Sequence, residues 1–236
     1  MLKNLNLEHV LFLDIETVSL YKSYNDMPEN LMKLWDVKAA KLVRQEEEKS
    51  AEELYPRAGI YAEFGKIICI SVGFMNGSEF RIKSFYGDDE KILLDEFSQL
   101  TNRHYNAPQH LLCGHNGKEF DFPYIARRML INGLPLPQIL DLQGKKPWEV
   151  QHLDTMDLWR FGDYKHYTSL NLLTTIFDIP SPKDDIDGSM VGEVYWKEND
   201  LERIVVYCQK DTLAVAQILL RYMGRPLIKD ENIVFV

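Results

Sequence analysis

The stretch Val10-Leu11-Phe12-Leu13-Asp14-Ile15-Glu16-Thr17 constrains this chain more than any other. Val10 to Leu13 and Ile15 are apolar, as in a strand covered on both faces. Asp14 and Glu16 break into the run two residues apart. Side chains alternate along a strand, so these two carboxylates share one face. Like charges side by side near a core repel, and each resists desolvation. A polar strand end at the rim of a sheet explains one such residue easily and two less well. The pair asks for a neutralising partner.

Composition narrows what that partner can be. The 236 residues are 45% hydrophobic and 27% charged, ordinary for a globular protein with a real core. No run approaches the roughly 18 apolar residues of a membrane span. The opening MLKNLNLEHV has no basic stretch followed by an apolar one, so no signal peptide is expected and the predicted location is cytoplasmic. Cys69, Cys113 and Cys208 are far apart and set in apolar runs, which predicts buried reduced thiols rather than a disulfide or a metal site. The net charge of −9 argues against strong non-specific binding to duplex nucleic acid. It leaves room for a protein that grips a few terminal nucleotides, and it fits a site that gathers carboxylates around cations.

Periodicity predicts one domain over residues 1–236, in the order β-β-β-α-β-α-β-α. The first strand carries Asp14 and Glu16. Residues 21–61 have helical spacing at Leu31, Leu34, Trp35 and Leu42 and read as a helical insertion; Glu46 to Glu48 read as a solvated face. Lys66 to Phe74 and Phe80 to Tyr86, joined by a turn at Met75 to Ser78, continue an antiparallel meander. A helix is expected over Asp88 to Tyr105, with Ile92, Leu93, Phe97 and Leu100 inward, then a short strand at His110 to Cys113. Another helix follows over Phe122 to Asn132, a strand at His152 to Met156 and a short helix at Ser169 to Phe177. Pro180 to Gly188 is loop, and its superficial likeness to a calcium loop fails at Lys183 and Val194. Asp200 to Met223 is a long helix, capped by Asn199 or Asp200 and stopped by Gly224 and Pro226.

Two further places carry acidic residues that the local pattern does not require. One is GHNGKEFDFPY, residues 114–124, between a strand and a helix. Alone, its Asp121 reads as a helix cap. Gly117-Lys118 is not a P-loop, because Glu119 stands where Ser or Thr is needed. The other is YCQKD, residues 207–211, where Tyr207 and Asp211 lie four apart on one face of the last helix. Ile204, Val205, Ala214, Val215 and Ile218 form an apolar stripe wrapping toward that face. Four carboxylates from three elements have a shared physical explanation. Hard divalent cations take oxygen ligands, and two of them about 3.5–4 Å apart can clamp the attacking and leaving oxygens of a phosphodiester.

FLDIET, GHNGKEFDFPY and YCQKD resemble, in order, the three exonuclease motifs of the DEDD superfamily, and the second and third resemble most the 3′–5′ proofreading domain of family B DNA polymerases. The resemblance spans about Val10 to Leu220. It implies an α/β ribonuclease H-like fold: a mixed central sheet, antiparallel in its first three strands and then parallel, flanked by helices. It implies Asp14, Glu16, Asp121 and Asp211 as ligands of two divalent ions, Mg²⁺ or Mn²⁺. Val206 stands where one branch of the superfamily has His, and Tyr207 stands where the other has Tyr. The chain is thus similar to the tyrosine (DEDDy) type, with Tyr207 orienting the attacking water. The resemblance also implies Thr17, Asn116 and Phe120 as contacts of the terminal nucleotide. No polymerase region follows the third motif within these residues, so a stand-alone exonuclease is expected. Its expected partner is a single-stranded 3′ end, DNA before RNA, with release of nucleoside 5′-monophosphates. An RNA substrate, or a non-catalytic binding module of the same fold, are the competing expectations. Arg127-Arg128, Lys145-Lys146 and Lys165-His166 are candidate phosphate contacts or plain solvated surface.

Overall fold

A computed structural model describes residues 2–43, 49–163, 165, 167–180 and 186–236. Glu46 to Glu48, His166 and the first part of the 180–188 loop lie outside the described residues.

A six-stranded sheet runs in the order β5-β4-β1-β2-β3-β6. Its strands are β1 (Val10–Ser19), β2 (Gly65–Asn76), β3 (Glu79–Tyr86), β4 (Leu111–Gly114), β5 (Leu153–Asp154) and β6 (Ile233–Phe235). The first three are antiparallel neighbours, while β4, β5 and β6 join in parallel, as the resemblance implied. The C-terminal β6 was not anticipated; its three residues show too little periodicity to announce a strand.

The central β1 is apolar because it is covered twice. Leu11, Leu13 and Ile15 pack with Leu93, Leu94 and Phe97 of helix α3 (Glu90–His104) and with Phe122, Ile125 and Met129 of α4 (Asp121–Ile131). Val10 and Phe12 face the other way, onto Val215, Ala216 and Leu219 of α8 (Leu201–Tyr222). The alternation puts Asp14 and Glu16 on the α8 side. The long helix begins as expected: the Asp200 carboxylate accepts from the Arg203 N–H at 3.2 Å, and Gly224 follows its end with φ +64°.

The segment between β1 and β2 carries α1 (Glu29–Leu42), α2 (Ala51–Leu54) and a 3₁₀ turn over Tyr55–Ile60. It is built on Trp35, fully buried against Tyr55 and Phe64. Leu34, expected inside with Trp35, is 60% exposed, and Ile92 on α3 is 59% exposed. In each case a neighbouring residue already fills the inward position, Trp35 for one and Leu93 for the other.

The strand expected at 152–156 is corrected to two residues. The Asp154 carboxylate accepts from the N–H groups of Met156 at 3.0 Å and Asp157 at 3.3 Å, which starts helix α5 (Thr155–Arg160) at once. Ser169 caps α6 (Leu170–Ile176), accepting from Leu172 N–H at 3.3 Å. The short α7 (Val191–Glu193) runs into a π turn at Val194–Glu198, and neither was read from the sequence.

Candidate active site

The site is assembled at the C-terminal end of β1. Asp14 lies opposite Ser71 of β2, Glu16 lies opposite Cys69, and the register shifts immediately after Glu16. Helix α8 docks here through uncharged hydrogen bonds. The Cys208 thiol donates to the Asp14 main-chain oxygen at 3.4 Å, and the Thr212 hydroxyl donates to the Ser71 main-chain oxygen at 3.2 Å. One helical turn links Tyr207 and Cys208 to Asp211 and Thr212, so this docking aims Asp211 and Tyr207 at the two carboxylates of β1.

Asp121 arrives from the other flank. It is the first residue of α4, preceded by Phe120, which offers no side-chain cap. The expected capping role is therefore not the one the structure uses. The loop before it is fixed by Asp154, 2% exposed, whose carboxylate accepts from Asn116 N–H at 2.9 Å and Lys118 N–H at 3.0 Å. His115 ties the same loop outward, one ring nitrogen 2.9 Å from the Thr155 hydroxyl and the other 2.8 Å from the Thr168 carbonyl oxygen. A Cβ on Gly117 would meet the Phe122 ring at 2.8 Å and Gly114 Cα at 3.1 Å, so this fold of the loop needs glycine there.

The four carboxylates act on one another. Burial, then the charges of Glu16, Asp211 and Asp121, push the Asp14 carboxyl well above its ordinary range. Glu16 is raised by burial and by Asp211, Cys69 and Asp121. Burial raises Asp121 to about 7 against the pull of the Asp121 and Ile15 backbone N–H groups, with Asp154 and Asp211 adding to the rise. One oxygen of Asp14 is sealed from solvent and lacks a hydrogen-bond partner. Burial, and the neighbouring Asp211, Glu16 and Asp14, raise the Tyr207 phenol. Four carboxylates that repel one another, with an orphaned carboxylate oxygen among them, fit hard divalent cations such as Mg²⁺ or Mn²⁺.

Thr17, Asn116 and Phe120 divide. Asn116, in the loop that leads to Asp121, has φ +62° and a buried, unpartnered side-chain oxygen. The Phe120 ring lies 5.3 Å from the Tyr124 ring and packs against the α3–α4 core. Thr17 follows the alternation to the Ile15 face, where it neighbours the Tyr124 phenol. Tyr124 donates in turn to the Gly59 carbonyl at 2.7 Å, making a wall with the insertion. Of the candidate phosphate contacts, Arg128 is corrected: it is buried, with Nε 2.8 Å from Glu90 and Nη1 donating to the Ala62 carbonyl at 2.8 Å. Arg127, Lys145, Lys146 and Lys165 are exposed. Asp154, His115 and the Glu90–Arg128 pair were missed as site supports. The one sequence signal for Asp154 was its place directly before Thr155 at a strand-to-helix junction, the composition of a cap.

No helix among the described residues is long and apolar enough to cross a membrane. In structure, the chain is similar to the family B DNA polymerase of the hyperthermophilic archaeon Pyrobaculum calidifontis, at 18% identity and a TM-score of 0.50. That likeness covers 90% of this chain and 24% of the polymerase, and it shows the fold alone, a ribonuclease H-like one. Residues 60–227 match a family model described as a predicted 3′–5′ exonuclease related to the exonuclease domain of PolB. The matched segment holds GHNGKEFDFPY and YCQKD, while Asp14 and Glu16 precede it. The chain therefore belongs to the family described as predicted 3′–5′ exonucleases related to the exonuclease domain of family B DNA polymerases.

Proposed function

We propose that this protein hydrolyses the terminal phosphodiester of single-stranded DNA from the 3′ end, using two divalent cations and releasing nucleoside 5′-monophosphates. The observation that carries the reading is the meeting of Asp14 and Glu16 from β1, Asp121 from α4 and Asp211 from α8 in one mutually repelling cluster. These four residues would hold the cations, Mg²⁺ or Mn²⁺. When bound, such ions supply the positive charge that activates water and stabilises a departing 3′-oxygen.

The remaining chemistry belongs to side chains. The Tyr207 hydroxyl, raised by burial and the neighbouring carboxylates, stays protonated through the neutral range. It therefore orients the attacking water and does not abstract its proton. Asn116, held by Asp154 through its own backbone N–H, presents an amide to the terminal sugar or phosphate. Phe120, on its wall with Tyr124, offers an apolar face for the terminal base.

End-labelled single strands incubated with Mg²⁺ or Mn²⁺ test this. Wild type should shorten them from the 3′ end to monophosphates, and Asp14→Ala should lose a factor on the order of 10³ or more. No degradation by wild type, or equal degradation by the variant, defeats the reading. Labelled RNA competing in the same tube distinguishes the two sugars, since a contact to the 2′-hydroxyl decides between them.

A further inference from the structure

Cys208 is a metal-ligating group at the cluster that the proposed hydrolysis does not use. Its side chain is fully buried. Its sulfur, one carboxylate oxygen of Asp14 and one of Glu16 all lie within 4.8 Å of one another. Two further observations point to a ligand among these three. A buried oxygen of Asp14 has no hydrogen-bond partner. Glu16 is 7% exposed, and among the described residues no hydrogen-bond or ion-pair partner is found for it. Cys69, directly across from Glu16 on β2, brings a second thiol within hydrogen-bonding reach of Cys208.

This donor set is mixed. Mg²⁺ and Mn²⁺ take the carboxylates and have little use for sulfur. Zn²⁺ and Cd²⁺ favour thiolate, and Zn²⁺ accepts thiolate and carboxylate together in a four-coordinate shell. Asp121 and Asp211 lie outside the three-residue group, while Asp14 and Glu16 belong to both sets, so an ion held with the thiol would compete with the hard cations for those two carboxylates.

We propose that Asp14, Glu16 and Cys208 form a site for a thiophilic divalent cation, Zn²⁺ or Cd²⁺, whose occupation excludes the hard cations and silences the enzyme. The thiol loses its proton to solvent as the sulfur–metal bond forms, so binding strengthens with rising pH. The silencing rests on the exonuclease reading; the metal site does not.

Cadmium alone, titrated into the purified full chain, reads the site through the ultraviolet thiolate-to-cadmium charge-transfer band. Wild type should show the band, saturating at one Cd²⁺ per chain, and Zn²⁺ should abolish it by competition. Cys113→Ala, at a buried thiol elsewhere in the sheet, should keep the band, and Cys208→Ser should lose it. Asp14→Asn keeps both site thiols, so it tests the site even if Cys208→Ser fails to fold; it should need about tenfold or more cadmium. The Zn²⁺ concentration that halves Mn²⁺-supported turnover should rise by about the same factor in Cys208→Ser. Absence of the band in wild type, or a band unchanged by both Cys208→Ser and Asp14→Asn, overturns the site. Turnover with Mn²⁺ but no band overturns the site alone. A band without turnover in Mg²⁺ or Mn²⁺ overturns the exonuclease reading and leaves the site standing.

Discussion

Replacing Asp121 by asparagine should make the metal-free protein more stable at neutral pH while removing its activity. Asp121 is 4% exposed, and burial raises its carboxyl from 3.8 to about 7. A carboxylate raised on folding contributes stability that is full below its unfolded value and is lost as pH climbs through its folded value. The window therefore runs from about pH 4 to pH 7. A rise of about three units at roughly 1.4 kcal/mol each makes ionised Asp121 a burden of about 4 kcal/mol at pH 8. Asparagine keeps the shape and an acceptor oxygen but carries no charge. The metal-free variant should gain about 2–4 kcal/mol at pH 8, or roughly 4–16 °C in Tm for a chain of this size. At pH 4.5 the gain should shrink to about 1 kcal/mol. Mn²⁺ should raise the wild-type Tm at pH 8 more than the variant's, because the charge it would neutralise is gone. Thermal denaturation followed by circular dichroism at both pH values, with and without Mn²⁺, measures all of this. A variant less stable than wild type at pH 8, or a gain that does not shrink on acidification, refutes the reasoning.

Tyr207→Phe removes one hydroxyl from the edge of the cluster; kcat should fall about a hundredfold or more with KM and Tm little changed, and an unchanged kcat would show that the phenol positions nothing. Asp154→Ala strips the acceptor from the Asn116 and Lys118 N–H groups and uncaps α5, so it should cost about 2–4 kcal/mol in denaturant unfolding and lower activity through a loosened Asn116. Trp35→Ala empties the centre of the insertion and deprives the Ala51 carbonyl of its indole donor, bonded at 2.8 Å. It should cost about 3–5 kcal/mol. The loss should reach the whole fold, because the insertion and the segment after it give Tyr124 and Arg128 their carbonyl partners Gly59 and Ala62. Proteolysis confined to residues 21–61 with an unchanged global melt would refute that coupling.

Much of the fold was legible because it rests on local periodicity. The doubly covered β1, the meander, α4 and α8 each carry their own pattern, and their bounds fall close to the expected ones. What escaped depends on residues distant in sequence. Arg128 looked like half of a basic surface pair, yet it closes a buried ion pair with Glu90, 38 residues away. Asp154 looked like part of a strand, yet its carboxylate gathers two N–H groups of a loop that precedes it by more than 30 residues. Thr17 is a different case. Strand alternation already placed it on the Ile15 face, opposite Glu16, and the motif drew attention away from that. Thr17 neighbours Tyr124 in the wall of the site.

The way α8 is fastened bears on why such a cluster can exist without unfolding the sheet. The two bonds that seat the helix, Cys208 to the Asp14 carbonyl and Thr212 to the Ser71 carbonyl, run to uncharged main-chain oxygens, the first part-buried and the second buried. The Thr212 bond does not depend on the charge of the carboxylates, whereas a helix held through Asp211 itself would be pushed off by its own ligands. The apolar run Val10 to Leu13 does the same for β1, fixing the strand in the core from both faces. Attachment and charge are thus carried by different atoms of the same residues: the main chain of Asp14 holds the helix, and its side chain faces the cluster. The repulsion among Asp14, Glu16, Asp121 and Asp211 then persists in the folded protein as binding energy held ready for cations. It follows that neutralising any one carboxylate should relieve strain and leave the architecture intact, while cutting Thr212 back to alanine, which touches no charge, should loosen the site.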